Sequence, residues 1–338
     1  MKFLANLKKK ELMEKTCILR VDFNVDPSTG SGQEALRLQE SLPSIKFLLK
    51  YGARVLIISH RGRPEGNDRA FSLKPFVSFL KKNLKKEVRF LDGLPSKLPD
   101  GQVFLLENLR FWPEEEKNDL DFAKHLARLG DFYVNDAFAV SHRANSSVTQ
   151  LPKLLPAFAG ILLEKEIATL SGVMKHPKKP LALIFGGAKI DDKLSTIKYL
   201  LPKADAVLLG STVINKNGLV PKSEKIHRPI DWLAESGAAL DIGPLTVADY
   251  AAVIKKAKTI IWNGPLGKFE DIKYSHGSVG VAKAIAKSKA FTVVGGGETT
   301  QLILWLKLRK KIGFLSTGGG AMLEFLSGKK LPGIVALR

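Results

Sequence analysis

A chain of 338 residues, 45% apolar and carrying a formal charge of +20, is long enough to fold as two domains, each with its own core. No apolar run nears the roughly 18 residues of a membrane span, MKFLANLKKKELMEK lacks the apolar stretch and cleavage site of a secretory signal, and the lone Cys17 excludes an internal disulfide, so a cytoplasmic setting is expected. The charge points to an anionic partner, but RNA-binding signatures and interleaved aromatics are missing from the lysine-rich stretches, so no dedicated nucleic-acid binding is expected.

Short β-branched runs alternate with longer stretches at helical spacing, the pattern of parallel sheets covered on both faces. In the first half the runs are TCILRVDFNV, ARVLIISHRGRP, QVFLLENLRF and FYVNDAFAVSHR, and they finish in polar or basic residues. Cys17, inside the first run, is expected as a buried strand residue. A connecting helix that can act as a hinge is predicted over Ile161 to Met174, between proline-flanked segments. In the second half the runs are LALIFGGAKIDDK, DAVLLGST, TIIWNGPLGKFE, FTVVGGGETT and IGFLSTGGGAM, which finish in glycine. Ligands of open α/β sheets bind beyond the carboxyl ends of the strands, so the two halves face different ligands.

Asp22, Asn24, His60, Arg63, Arg110 and Arg143 stand at successive strand ends of the first half, with Arg37 shortly after the first. Guanidinium forks suit carboxylate and phosphate, so several together can hold a small, multiply charged acid. A spacing of two puts Asp22 and Asn24 on one strand face, which leaves Asn24 for the ligand and Asp22 to orient an arginine. In the second half, strand-end glycines let backbone amides approach a phosphate, and the following helix points its positive end at the same place. Neither the P-loop nor the dinucleotide fingerprint is present. Lys189 and Lys193, four apart, can face one anion from one side of a helix start. Glu270 can accept ribose hydroxyls, and Glu298 is the candidate to approach a nucleotide-bound metal.

One half thus offers a side-chain site for an acidic substrate and the other a backbone site for polyphosphate, the layout of a two-domain kinase. With these residues assembled, the sequence resembles the phosphoglycerate kinase family from about Leu19 to its end. RVDFNV, SHRGRP, ENLRF, YVNDAF…HRA, GGAK…DK, LDIGP, WNGPLGKFE, GGGET and STGGGAMLEFLSGKKLPG occur in the family's order.

The resemblance implies an α/β fold of two Rossmann-like three-layer domains with mainly parallel sheets joined by a hinge helix. Residues 1–158 with a tail of about 324–338 would bind phosphoglycerate, and 159–323 would hold the hinge helix and the nucleotide domain. It implies that Asp22, Phe23, Asn24, Arg37, His60, Arg61, Gly62, Arg63, Arg110 and Arg143 bind the phosphoglycerate. Lys189, Lys193, Gly210, Asn263, Glu270, Gly296, Gly297, Glu298 and Thr299 would bind the nucleotide, and Glu298 the magnesium ion. Arg37, Lys189, Lys193, Gly319 and Gly320 would serve the transfer itself. The implied enzyme is a monomeric glycolytic phosphotransferase that moves a phosphoryl group, with Mg2+, between 1,3-bisphosphoglycerate and ADP. The alternative is a catalytically weakened relative that acts as a nucleotide-binding or scaffold protein with the same fold and motifs.

This chain departs from the family pattern in four places. It is short between Gly210 and Leu240, where GST replaces the usual glycine run; Glu298 stands where the family usually has aspartate; Arg61 replaces a usual apolar residue; and AVSHRANSS differs from the family's more common small-residue, His-containing version.

Overall fold

The computed structural model describes residues 1–26, 33–188, 190–214 and 220–338, except the side chains of 33–35. The chain divides into unit 1, Met1–Ile167 with Lys330–Arg338, and unit 2, Ala168–Lys329.

Unit 1 is built on strands β1 (Thr16–Arg20), β2 (Arg54–Ile58), β3 (Arg89–Leu91), β4 (Val103–Leu106), β5 (Phe132–Asn135) and β6 (Ala157–Ala159). Their spatial order is β3-β4-β2-β1-β5-β6, with every pairing parallel. β1, β4 and β5 are buried at every position, as strands covered on both faces must be. The order reverses between β1 and β5, and in register Arg20 pairs with both Ile58 and Asn135. The residues that follow these strands therefore leave the sheet at one end, beside a topological switch point. Cys17 is buried in β1, and burial pushes its thiol well above the ordinary value.

The predicted connecting helix runs Ile161–Lys175. Asp136, just beyond β5, holds its start: Oδ1 accepts from the backbone N–H groups of Leu162 at 2.9 Å and Leu163 at 3.1 Å. Burial pushes this carboxyl up to about 6 against those bonds. At the other terminus the Gly333 N–H donates to Ser141 O at 2.8 Å, and Leu331, Ile334 and Leu337 are buried.

Unit 2 contains strands β7 (Leu181–Phe185), β8 (Ala206–Leu209), β9 (Ile226–His227), β10 (Trp232–Glu235), β11 (Ala238–Ile242), β12 (Thr259–Asn263), β13 (Phe291–Gly295) and β14 (Phe314–Leu315). Six form the parallel order β14-β13-β12-β7-β8-β9, with the switch point between β7 and β12. β10 and β11 form a separate antiparallel hairpin. The nine apolar runs of the sequence all become strands. The strands that the sequence did not disclose are β3, β6 and β9, two or three residues each, and the hairpin, whose β10 is exposed throughout. Neither class carries an apolar period long enough to read.

Full burial of a large aliphatic side chain is worth roughly 1.5–3 kcal/mol. Deleting residues 330–338, and with them Leu331, Ile334 and Leu337, is therefore expected to lower the stability of unit 1 by about 5 kcal/mol. Urea unfolding followed by unit 1 fluorescence measures this, and an unshifted midpoint would contradict the packing described.

Candidate functional site

In unit 1 the site grows from the loops that follow β1, β2, β4 and β5. β1 ends at Arg20, so Asp22 and Asn24 lie in a loop and not on a strand face as their spacing suggested. Asn24 N–H donates to Asp22 Oδ1 at 3.1 Å, and Asn24 Oδ1 accepts from Gly62 N at 2.8 Å, which ties the β1 and β2 loops together. Asp22 Oδ2 stands 3.5 Å from Arg37 Nε, while Arg37 donates to Asn24 O at 2.9 Å. The Phe23 side chain is buried and packs against Phe76 with ring centroids 5.3 Å apart, so it is not open to a ligand, while its N–H donates to Ser59 Oγ and its carbonyl accepts from Val25 N, both at 2.8 Å.

His60 is buried in the middle of this cluster. Burial first, and then Arg20, Arg110, Arg143 and Arg37, hold its pKa well below the ordinary value, so the ring is neutral. Arg20, which the sequence reading passed over, fixes its tautomer. Arg20 Nη2 lies 3.2 Å from His60 Nδ1, and an arginine can only donate; Nδ1 therefore accepts and the ring proton sits on Nε2. Nδ1 also stands 4.0 Å from Asp22 Oδ1, but a neutral ring makes no ion pair there. Arg20 is itself buried and donates through Nε to Ser147 Oγ at 3.1 Å, while Ser147 N–H donates to the buried carboxylate of Glu115 at 2.8 Å.

Asn108, also missed, splints the neighbouring loops: its Oδ1 accepts from Arg61 N and Arg110 N, both at 3.1 Å, and its Nδ2 donates to Arg61 O at 2.8 Å. Arg110 donates to Gly62 O and stands 3.0 Å from Glu116; burial pulls its pKa down, with Glu116 opposing. Gly62 has φ +62°, and a Cβ there would run into the Phe71 ring. The Arg61 guanidinium is held by Val25 O at 3.0 Å and Ala70 O at 2.6 Å, so it braces the loop. Arg63 is exposed and Arg143 half-buried, and both act on the charge of Arg110. The signal for Arg20 was available in the sequence only as a charge inside a buried strand, while Glu115 carried none, since it stands between the exposed Glu114 and Glu116.

In unit 2 the strand-end loops enclose a cavity of about 280 Å³ lined by Gly187, Thr212, Leu240, Gly267, Lys268, Glu270 and Glu298, among others. A second depression, about 560 Å³, is lined by Lys193, Asn263, Gly296, Gly297, Gly319 and Gly320 together with Asp191 and Asp192. The two meet near Gly187, where a built Cβ would stand 3.7 Å from Lys193 Nζ and 3.8 Å from Glu298 Oε2. Lys193 is buried in the turn Asp191–Lys193, and burial lowers its pKa against Asp192 and Glu298. Lys189 lies outside the described residues.

Several glycines here are demanded by backbone packing. A Cβ on Gly319 would stand 2.8 Å from Gly296 Cα, whereas one on Gly320 would meet open space. Gly210 N–H donates to Phe185 O at 2.8 Å. Thr299 is buried, its hydroxyl accepting from Gly264 N at 2.8 Å, and Asn263 Nδ2 donates to Gly295 O at 3.1 Å. These residues shape the loops, while Glu270, Glu298 and Gly320 are exposed. Among the described residues no three carboxylate, histidine or cysteine groups cluster as a metal cage.

The phosphoglycerate kinase family profile matches residues 7–222 and 212–329. The match is in two pieces that meet at the segment read as shortened. The phosphoglycerate kinase of Leptospira biflexa is 37% identical over 388 residues, covering 99% of this chain and 98% of the relative. That of Moorella thermoacetica is 39% identical, covering 98% of each chain. Both alignments are longer than this chain, so the relatives carry residues that it lacks. The structure of phosphoglycerate kinase from Coxiella burnetii superposes with a TM-score of 0.85 at 33% identity, covering 99% of this chain and 98% of the other. That from Pyrococcus horikoshii OT3 gives 0.84 at 31%, covering 100% and 98%.

The depressed pKa of His60 sets a titration test. The ligand-free chain is expected to keep the ring neutral and Nε2-protonated at pH 6, where an ordinary histidine is mostly charged. Arg20→Met removes one opposing charge and is expected to raise that pKa, read from the imidazole 15N shifts. A ring that titrates near 6.5 in the parent chain would contradict the assignment.

Proposed function

The chain belongs to the phosphoglycerate kinase family, and from that premise we infer which of its residues carry the reaction. It is a phosphotransferase with a carboxyl group as acceptor, and the reaction is the reversible transfer of a phosphoryl group between 1,3-bisphosphoglycerate and ADP, which gives 3-phosphoglycerate and ATP. The observation that carries the site assignment is the buried His60, its Nδ1 3.2 Å from Arg20 Nη2, with the guanidinium groups of Arg37, Arg110 and Arg143 acting on the same ring. Such a cluster is stable in company with anions, and 3-phosphoglycerate brings a carboxylate and a phosphate. Hydrogen bonds to charged groups contribute roughly 1.5–3 kcal/mol each.

In this reading Arg63, Arg110 and Arg143 neutralise the substrate, and His60 donates its Nε2 proton to a substrate oxygen without transferring it. The loop residues Asp22, Asn24, Arg61 and Gly62 keep the strand ends in place, and Phe23 contributes through its backbone. Arg37, oriented by Asp22, faces the carboxyl end that receives or yields the phosphoryl group. Its role is to offset charge that develops on the phosphoryl oxygens, where a preorganised donor counts most.

On unit 2, Glu270 accepts ribose hydroxyls from the cavity wall, with Gly210 and Thr299 shaping that wall from behind. Lys189, Lys193 and the amides of Gly296, Gly297, Gly319 and Gly320 receive the phosphates, assisted by the helix starting at Gly297. Lys193, its pKa lowered by burial, contributes a point charge close to the transferring group. Magnesium fits the donor set: the ion needs only one or two carboxylates plus phosphate oxygens, and exposed Glu298 supplies one beside Lys193. When bound it would neutralise phosphate charge. Transfer is direct between the two ligands, since no side chain needs to carry the phosphoryl group.

No feature of the site favours the scaffold reading. A monomeric state and a cytoplasmic setting extend the proposal, and the single buried thiol of Cys17 accords with the second of these. Among the described residues no helix is long and apolar enough to cross a membrane.

Arg37→Ala is expected to leave the fold and MgADP affinity unchanged and to lower kcat by about 10²–10³. Steady-state turnover with calorimetric MgADP titration measures both, and an unchanged kcat would remove Arg37 from the transfer step.

A further inference from the structure

The hairpin β10–β11 meets the unit 2 cavity through Ala239 and Leu240. The next residue, Asp241, has no exposed surface. Its Oδ2 accepts from Gly277 N at 2.7 Å, in the first turn of the helix His276–Lys287, and its Oδ1 accepts from Ile242 N at 2.9 Å. Built Cβ atoms at Gly267 and at Gly277 would both overlap Oδ1. The carboxylate is thus wedged between the cavity loop on one side and the helix on the other.

Three further hydrogen bonds fix that loop to the same elements. Ser278 Oγ, one residue along the helix, accepts from Leu266 N at 2.8 Å and Gly267 N at 3.3 Å. Lys268 N–H donates to Leu240 O at 2.8 Å. Leu266, Gly267 and Lys268 are cavity wall.

An ionised carboxylate buried without a cationic partner is costly, and an apolar side chain would fill the space more cheaply. Burial pushes the Asp241 carboxyl up to about 6; Gly277 and Ile242 N–H groups, and the nearby His276, oppose it. What the carboxylate adds is a fixed spacing: one bond accepted from the helix, one from its own strand, and contact with a glycine of the loop.

We propose that Asp241 is a positioning residue for the nucleotide site, its buried carboxylate setting the distance between loop 264–270 and the helix His276–Lys287, and so the width of the cavity that receives the nucleoside. This rests on reading the cavity as the nucleotide pocket. Asp241→Asn keeps the volume but replaces one accepting oxygen with a donor that meets another donor. Calorimetric titration of MgADP into the full chain near pH 7.5 is expected to show binding about tenfold weaker than in the parent, with 3-phosphoglycerate affinity unchanged.

The asparagine mimics the protonated acid. As pH falls through 6 the parent carboxyl itself takes up a proton, so the ratio between variant and parent is expected to shrink towards one. A role confined to folding would leave that ratio flat. Gly267→Ala, which keeps the carboxylate and drives a methyl into it, carries the test where Asp241→Asn does not fold, with the same selective loss of MgADP. Unchanged MgADP affinity, equal loss of both ligands, or a pH-independent ratio overturns the inference alone. A parent chain that binds no MgADP overturns the pocket reading with it.

Discussion

The site of unit 1 depends on holding several guanidinium groups around one neutral ring. Two like charges about 4 Å apart repel by roughly 4 kcal/mol at an effective dielectric of 20, so the cluster cannot rest on packing alone. It is tied down by carboxylates at its edges, Asp22 on Arg37 and Glu116 on Arg110, and by the buried Glu115, which reaches Arg20 through Ser147. What remains is net positive charge at the end of a parallel sheet, next to a switch point. Burial, together with that charge, holds the pKa of His60 well below the ordinary value.

Unit 2 answers the opposite problem. Its strand ends approach each other as backbone, which leaves amides and a little positive charge at the sheet end. The contact of Gly319 with Gly296 brings two helix starts together, and Lys193 and Glu298 both stand close to Gly187. In the glycine run at 318–320, Gly319 and Gly320 both line the depression, but only Gly319 is there because its neighbour is too close; a Cβ on Gly320 would meet open space. The hairpin is held in place by carboxylates against glycines. Asp231 accepts from Leu245 N at 2.9 Å and Thr246 N at 2.7 Å where a Cβ on Gly243 would overlap it, and Asp241 does the same against Gly277. Each caps a helix start and leaves no room for a side chain opposite.

Much of this was legible because it is local. A strand buried on both faces needs a continuous apolar run, and TCILR, RVLII and LALIF declare themselves; where each run stops, the next residues are the site. What stayed hidden depends on distant pairing. Arg20 reads as a strand residue until β1 is placed beside β2 and its guanidinium reaches His60. Asn108 reads as a loop residue until its amide spans two loops. Arg61, Phe23 and Thr299 share motifs with ligand-facing neighbours, yet their side chains turn to the protein, since spacing cannot say which way a loop residue points.

The account turns on a transfer that requires both ligands. The most direct measurement is the rate of ADP formation from MgATP by the full chain, with and without 3-phosphoglycerate. The account predicts turnover only when both are present, lost when the guanidinium side of unit 1 is altered. Binding of MgATP without any 3-phosphoglycerate-dependent turnover, or hydrolysis at the same rate in its absence, would contradict it.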